Sequence, residues 1–396
     1  MFDIQKKIRQ YKSCQNIVSF DVETTGLLPY HGDRIFSFCI GNDLWCGVYR
    51  IDQPYFAEIR TQDLLKCITE DLDIWKFIKV KHRDSKINFM VMKTLFEKLS
   101  NQAITIHNCK FEKGFLSVHG IEMPDNLVIH DPMLMSRLLD NQSPSHELGR
   151  LVHRLGGDPL GRMMKCDKKV EEEAKKLGGY NFVNVPLMTI YQLYDAVRPL
   201  LLQNAFFPEI CERENLLEDY IWEVQTALCT QEIEEEGIQV HEKNCYKLLD
   251  WLDNEITNMQ HECFNLIGEY INLSSDQQVE RILFKKLGFP VISFSTKGRA
   301  KTDKDVLFKL KEDGFEHPFI DLVLKWRSYN DGQGNIQKYL DLRDENGRIH
   351  TTINTCQART HRQSSSKPNL QNVSKEAALK NPYAVPSRQC FTCSED

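Results

Sequence analysis

The apolar run Ile17-Val18-Ser19-Phe20 is β-branched and aromatic, and it leads into Asp21-Val22-Glu23-Thr24-Thr25-Gly26-Leu27. Such a run reads as a buried strand. Side chains two apart on a strand share a face, so Asp21 and Glu23 project together, with Gly26 opening the turn beyond. Ala103-Ile104-Thr105-Ile106-His107 is a second strand-like run, followed by Asn108-Cys109-Lys110-Phe111-Glu112. Asn108 and Glu112 are four apart and share a face if a helix starts there. Tyr191 and Asp195 have the same spacing, in a helical pattern that continues through Val197, Leu200 and Leu201. Up to about Phe207 strands and helices alternate, as in an α/β domain.

Beyond that point the pattern turns to long helical stripes. Leu216, Tyr220, Val224, Ala227 and Leu228 form one, ended by Gly237; Cys245, Leu248, Leu249, Leu252 and Ile256 form another. Ser274-Ser275-Asp276 precedes a third helix through Phe284, with Gly288 as its C-cap. Thr302-Asp303 caps a fourth, and Ile320 to Arg327 begins a fifth. Two charged runs, Lys168 to Lys176 and Glu232 to Glu236, read as solvated helix faces.

The chain has 396 residues, 41% hydrophobic and 27% charged, which suits two or three globular domains. No apolar run approaches a membrane span, and the first residues lack a signal-peptide core. The 13 Cys are scattered, apart from Cys390 and Cys393, and read as free thiols of a reducing cytoplasm. A net charge of −6 argues against a uniformly basic nucleic-acid binder. The bias is local instead: from Arg348 to Lys375 there is no Asp or Glu, while Arg348, Arg359, Arg362, Lys367 and Lys375 all fall there, with His350 and His361. That stretch is either a surface that meets phosphate or a polar linker around Ser364-Ser365-Ser366.

Two carboxylates on one side of a strand can hold a hard cation such as Mg²⁺, although an Asp-x-Glu beside a turn is also common on surfaces. The order decides. A carboxylate pair, then Asn-x-x-x-Glu, then Tyr-x-x-x-Asp resembles the three motifs of the DEDD 3′–5′ exonucleases, in their tyrosine subgroup. His130-Asp131-Pro132-Met133-Leu134 resembles the segment after the second motif in proofreading domains. Further on, Gly347 to Thr352, the run Thr360 to Asn372 ending Asn369-Leu370-Gln371-Asn372, and Arg388-Gln389-Cys390-Phe391 resemble the start of the palm in family A DNA polymerases. Ile271 to Ser275, Leu283 to Gly288 and Thr296 to Asp303 resemble that family's thumb.

The resemblance implies an exonuclease domain of ribonuclease H-like α/β fold over residues 1–207, a mainly helical thumb over 208–346, and a partial α+β palm over 347–396. It implies two Mg²⁺ ions, with Mn²⁺ as a substitute, hydrolysing the 3′-terminal phosphodiester of DNA. Asp21 would bridge both ions, Glu23 and Asp195 would hold the ion that generates hydroxide, and Glu112 would serve the second ion through water. Tyr191 would orient the attacking water; a phenol with a pKa near about 10 is a poor general base. Glu112 departs from the family's Asp, and its extra methylene exceeds the roughly 0.5 Å tolerance of catalytic placement unless water takes up the slack. Leu27 and Asn108 would order the single-stranded 3′ end. Lys297, Arg299, Lys301 and Lys304 would meet duplex phosphates, and Arg362, Asn369 and Gln371 the primer–template near the primer end.

The family's polymerase carboxylates, fingers helix and His-Asp pair would follow Phe391, where only Thr392 to Asp396 remain. The expectation is therefore a chain without polymerase activity of its own, with palm and fingers on a second polypeptide, of a phage type lacking a 5′-nuclease region. The alternatives are an exonuclease-inactive DNA-binding or assembly subunit through Glu112, a stand-alone DNA or RNA exonuclease, and an interrupted gene.

Overall fold

The computed structural model describes residues 3–14, 17–99, 102–156, 158–213, 215–355, 360, 362–374 and 383–391. Arg359, His361, Lys375, Cys393 and residues 392–396, all named above, lie outside the described residues. The chain divides into two units, the first comprising Met1–Glu236 with Ile353–Ser364, the second Gly237–Thr352 with Ser365–Asp396. Residue 207 thus falls inside the first unit, within a long helix.

The first unit is built on a seven-stranded sheet. Its strands are β1 (Val18–Thr24), β2 (Ile35–Gly41), β3 (Trp45–Arg50), β4 (Tyr55–Arg60), β5 (Lys79–Lys81), β6 (Ala103–Thr105) and β7 (Val128–His130), in the order β5-β4-β3-β2-β1-β6-β7. β1 to β5 form an antiparallel meander, and β6 and β7 join β1 in parallel. Parallel strands need a crossover, which places helices on the sheet faces. These are α1 (Ile4–Ser13), α2 (Thr61–Glu70), α3 (Ser85–Lys98), α4 (Cys109–Ser117), α5 (Pro132–Leu139), α6 (Leu148–Gly156), α7 (Asp158–Leu177), α8 (Val185–Glu212) and α9 (Leu216–Glu236).

Strand alternation sorts the core into two layers. Phe20, Val22, Phe38, Ile40, Tyr49 and Phe56 face a core completed by α3, α4, α5 and α9. Cys39, Cys46, Val48 and Ile59 face the other core, completed by Leu64, Leu151 and the α8 residues Leu193, Ala196 and Val197. Asp21 and Glu23 alternate with Phe20 and Val22, so the expected carboxylate strand points toward the α8 side. Ser19 confirms that direction, because its hydroxyl donates to the Ala196 carbonyl of α8.

The sequence pattern holds for α8 through Leu201, and the helix continues despite Pro199 and Pro208. Pro199 cannot donate to the Asp195 carbonyl one turn earlier, an interruption that packing on the sheet tolerates. The acidic run of α9 is solvated as expected at Glu232, Glu235 and Glu236 and departs from that reading at Glu234. Glu234 is buried and pairs with Lys110 of α4 at 2.5 Å, and Lys113 pairs with Glu232 at 2.7 Å. The α9 acids therefore staple α4 in place. The Lys168–Lys176 run also differs in part: Val170 and Ala174 within it are buried.

The second unit is mainly helical: α10 (Glu242–Ile267), α11 (Asp276–Glu280) running into a π-helical turn at Arg281–Lys286, α12 (Lys304–Glu312) and α13 (Pro318–Asp341). Ser275 caps α11 and Asp303 caps α12, as their positions predict. Gly288 follows the π turn at φ 71°, a left-handed conformation that suits glycine. Met259, Leu283, Leu307, Phe319 and Val323 make one core of this unit. A second gathers Cys245, Leu252, Ile336 and Tyr339 with Cys390, beside the two-stranded ladder of β8 (Ile238–Gln239) and β9 (Arg348–Ile349). No described helix is long and apolar enough to cross a membrane.

Candidate active site

Three structural devices bring the acidic side chains of the first unit together. The first is a backbone-to-sheet contact. A methyl group on Gly41 would lie 2.2 Å from the Ala196 carbonyl oxygen, so only glycine lets α8 settle directly on β2. Ser37 Oγ donates to Gln192 Oε1 at 2.8 Å one turn earlier. These contacts straddle Asp195 and fix its height above β1.

The second device is Asp131. Its carboxylate accepts the backbone N–H groups of Asn108 (3.1 Å), Cys109 (2.9 Å) and Met133 (2.9 Å). It thereby caps α5 and ties the start of α4 to β7. Asn108 adopts φ 68°, a left-handed conformation that asparagine tolerates better than most residues. The sequence places Asp131 in the segment after the second motif, and its part in the structure is to aim α4.

The third is the loop after β1. A Cβ on Gly26 would sit 2.3 Å from Asp33 Oδ2, and that carboxylate accepts the Leu28 N–H at 2.9 Å. The loop so formed leaves Leu27 64% exposed.

The result is a cavity of about 780 Å³ lined by Asp21, Leu27, His107, Asn108, Phe111, Glu112, Tyr191 and Asp195, with Arg150, Lys165, Asp167, Lys168 and Arg198 on its walls. Asp21, Glu23 and Asp195 each offer an oxygen within 4.8 Å of the others. Glu23 and Asp195 are buried and Asp21 is half-buried. Glu112 is 2% exposed, and its Oε2 has no hydrogen-bond partner among the described residues.

The electrostatics follow from this packing. Burial raises the Asp21 and Glu23 carboxyls well above the carboxylate range, and the neighbouring acids push them further in the same direction. Burial likewise raises Glu112, reinforced by Asp21. Burial lifts Asp195 to about 6, with Arg198 opposing the rise. The Tyr191 phenol is driven well above its ordinary value by burial and by Asp195 and Glu23, so it stays protonated. Burial lowers His107 to about 4, leaving it neutral. A set of four hard oxygen donors, mutually repelling and with one oxygen orphaned, fits divalent cations of the Mg²⁺ or Mn²⁺ kind.

Sequence reasoning placed Asp21, Glu23, Glu112, Tyr191, Asp195, Leu27 and Asn108; the structure lines one cavity with all of them but Glu23, which joins Asp21 and Asp195 within 4.8 Å. It missed Arg198, whose guanidinium donates to Asp195, and Asp167, which shares it. It also gave Lys168 no function, yet Lys168 lines this cavity. Arg198 stands three residues after Asp195 on the same helix, a spacing open to sequence reading, whereas its link to Asp167, 31 residues away, leaves no local mark.

The DNA-contact candidates of the second half are placed separately. Lys297, Arg299, Lys301 and Lys304 are all exposed around the Gly298 turn and the start of α12. Arg362, Asn369 and Gln371 are exposed as well. Asn369 Oδ1 accepts the Gln371 N–H at 3.1 Å and the Ser365 hydroxyl at 3.1 Å, so it caps the turn Leu370–Asn372.

A C-terminal stretch and a whole-chain likeness point to one class of protein. Residues 242–396 match the model described as DNA polymerase family A. The chain is 28% identical to DNA polymerase I of Synechocystis over 337 residues, covering 81% of this chain and 32% of that protein. It is 25% identical to DNA polymerase I of Treponema pallidum over 401 residues, covering 98% and 38% respectively. With the thermostable DNA polymerase I of Thermus thermophilus it shares 31% over 212 residues, 51% of this chain and 24% of that one. Among solved structures, the "POL domain of Pol1 from M. smegmatis complex with DNA primer-template and dNTP" superposes over 100% of this chain and 58% of that one, with a TM-score of 0.67 and 19% identity; that likeness bears on the fold alone. The chain is a relative of the family A DNA polymerases. It spans about a quarter to two fifths of the length of the curated relatives named here. In them the matched stretch is part of one longer polypeptide, and the separate partner chain expected from the sequence finds no support.

Proposed function

We propose that this protein is a proofreading 3′–5′ exonuclease acting on DNA, joined to the thumb and the beginning of the palm of a family A DNA polymerase. The observation that carries the reading is the convergence of Asp21, Glu23 and Asp195 within 4.8 Å, beside Tyr191 and Glu112, whose Oε2 has no hydrogen-bond partner among the described residues. The antiparallel meander extended by β6 and β7 in parallel supports the ribonuclease H-like part of this reading.

Asp21, Glu23 and Asp195 would hold two divalent cations, Mg²⁺ or Mn²⁺, with Glu112 contributing to the second. Bound there, such a pair supplies charge for the attacking and leaving oxygens of a phosphodiester. The residues of the chain do the rest. Tyr191, kept protonated, acts as a hydrogen-bond partner that orients a water at the phosphorus and not as a base. Leu27 and Phe111 offer apolar surface to the terminal base, a stacking mode indifferent to sequence. Asn108, locked by Asp131, lines the path of the strand end. In the second unit, Lys297, Arg299, Lys301 and Lys304 would neutralise duplex phosphates, with Arg362, Asn369 and Gln371 near the primer end; such contacts position DNA without reading it.

Incubation of 3′-labelled DNA with Mg²⁺ tests the reading. Release of labelled deoxynucleoside 5′-monophosphate supports it. Retention of label with DNA still bound would leave a DNA-holding domain whose Glu112 does not sustain hydrolysis.

A further inference from the structure

Arg198 is a deeply buried cation at the site, with a side chain 2% exposed. One guanidinium nitrogen donates to Asp195 Oδ1 at 2.6 Å. The other terminal nitrogen forks onto Asp167, at 2.8 Å to Oδ1 and 2.9 Å to Oδ2. The guanidinium also lies over the Tyr194 ring, 5.8 Å from its centroid. Asp167 comes from α7 and is itself a wall of the cavity. Gly149 of α6 makes room for it: a Cβ there would stand 2.9 Å from Asp167 Oδ2. Three helices therefore converge on one charge-assisted fork.

A buried arginine beside a metal-binding carboxylate has two possible roles with opposite signs. As a bare charge it repels a divalent cation and weakens its binding. As a clamp it fixes the rotation of the Asp195 carboxylate, takes up Oδ1 and leaves Oδ2 outside the ion pair. The geometry favours the clamp. Asp167 accepts two hydrogen bonds from the same guanidinium, which shares out its charge and sets its plane. An Arg–carboxylate fork is planar and directional in a way that a lone charge is not.

We propose that Arg198, held by Asp167, is a positioning residue that orients Asp195 for divalent-cation binding. The inference rests on the metal-dependent reading above. Residues that orient metal ligands from behind typically change metal affinity by about 10- to 100-fold when removed.

Calorimetric titration of the full chain with Mn²⁺ tests it, using wild type, Asp195→Asn, Arg198→Met and Arg198→Lys, without substrate. The expected result is weaker Mn²⁺ binding in Arg198→Met by about 10- to 100-fold, even though a repelling charge has been removed. Arg198→Lys keeps the charge but cannot fork onto both carboxylates, and it is expected to bind weakly as well. Should Arg198→Met fail to fold, Arg198→Lys alone decides. Tighter binding in Arg198→Met, or wild-type affinity in Arg198→Lys, would overturn the clamp while leaving the metal site intact. A wild type that takes up no Mn²⁺, or an Asp195→Asn variant that binds as well as wild type, would overturn the metal reading and the clamp together.

Discussion

The protein carries two kinds of charge display, and they work by different physics. In the first unit, Asp21, Glu23, Glu112 and Asp195 are crowded, largely buried and pushed toward protonation by burial and by one another. In the second, Lys297, Arg299, Lys301 and Lys304 stand exposed on a turn and a helix start. The first arrangement stores electrostatic tension that a bound cation would relieve. The second spreads charge into water, where each contact is weak and screened by salt. Single changes in the pocket should therefore act steeply, and single changes on the exposed cations gradually.

The largest effect is expected from Asp21→Ala. Loss of a shared cation ligand removes several kcal/mol of transition-state stabilisation, about a thousandfold or more in rate, measurable by single-turnover cleavage. Next comes Gly41→Val, which forces α8 away from β2. Overpacking of that kind costs about 1–3 kcal/mol, read as a lower urea midpoint, and should lower cleavage by displacing Asp195.

The stored tension makes a prediction of opposite sign for stability. Carboxyls whose folded pKa lies above the unfolded value bind more protons in the folded state. Metal-free stability therefore falls as pH rises from about 4 through the raised folded values, including about 6 for Asp195. Asp21→Asn should relieve part of this and raise the metal-free melting temperature at neutral pH, while abolishing stabilisation by added Mn²⁺. A melting temperature that drops, or that still climbs with Mn²⁺, would contradict the buried-repulsion account.

Leu27→Ala should leave stability within about 0.5 kcal/mol, since the side chain is exposed, and weaken capture of a single-stranded 3′ end. Smallest of all, Lys297→Ala should weaken duplex binding modestly and lower the salt slope of binding by about 1. A steep loss there would break the contrast between the two displays.

Legibility in the sequence followed the same division. Asp21 and Glu23 were readable because strand period alone puts them on one face. Asn108–Glu112 and Tyr191–Asp195 were readable from helical spacing. Caps such as Ser275 and Asp303 announced their helices, since an N-cap is a local signal. Only half of the clamp was readable: Arg198 follows Asp195 by three residues on one helix, but Asp167 lies 31 residues from Arg198 and opens a charged run that resembles a solvated face. Glu234 was misread for the same reason, because its partner Lys110 comes from another helix. Gly41 gives no local sign that the Ala196 carbonyl rests against it. What escapes the sequence is the pairing of elements, which only tertiary packing decides.

The most direct test of the central claim uses a 5′-labelled primer–template with Mg²⁺ and no nucleotides, comparing wild type with Asp21→Ala. The account predicts stepwise shortening from the 3′ end in wild type and its loss in the variant. Binding without shortening in both proteins, or shortening that survives in Asp21→Ala, would contradict it.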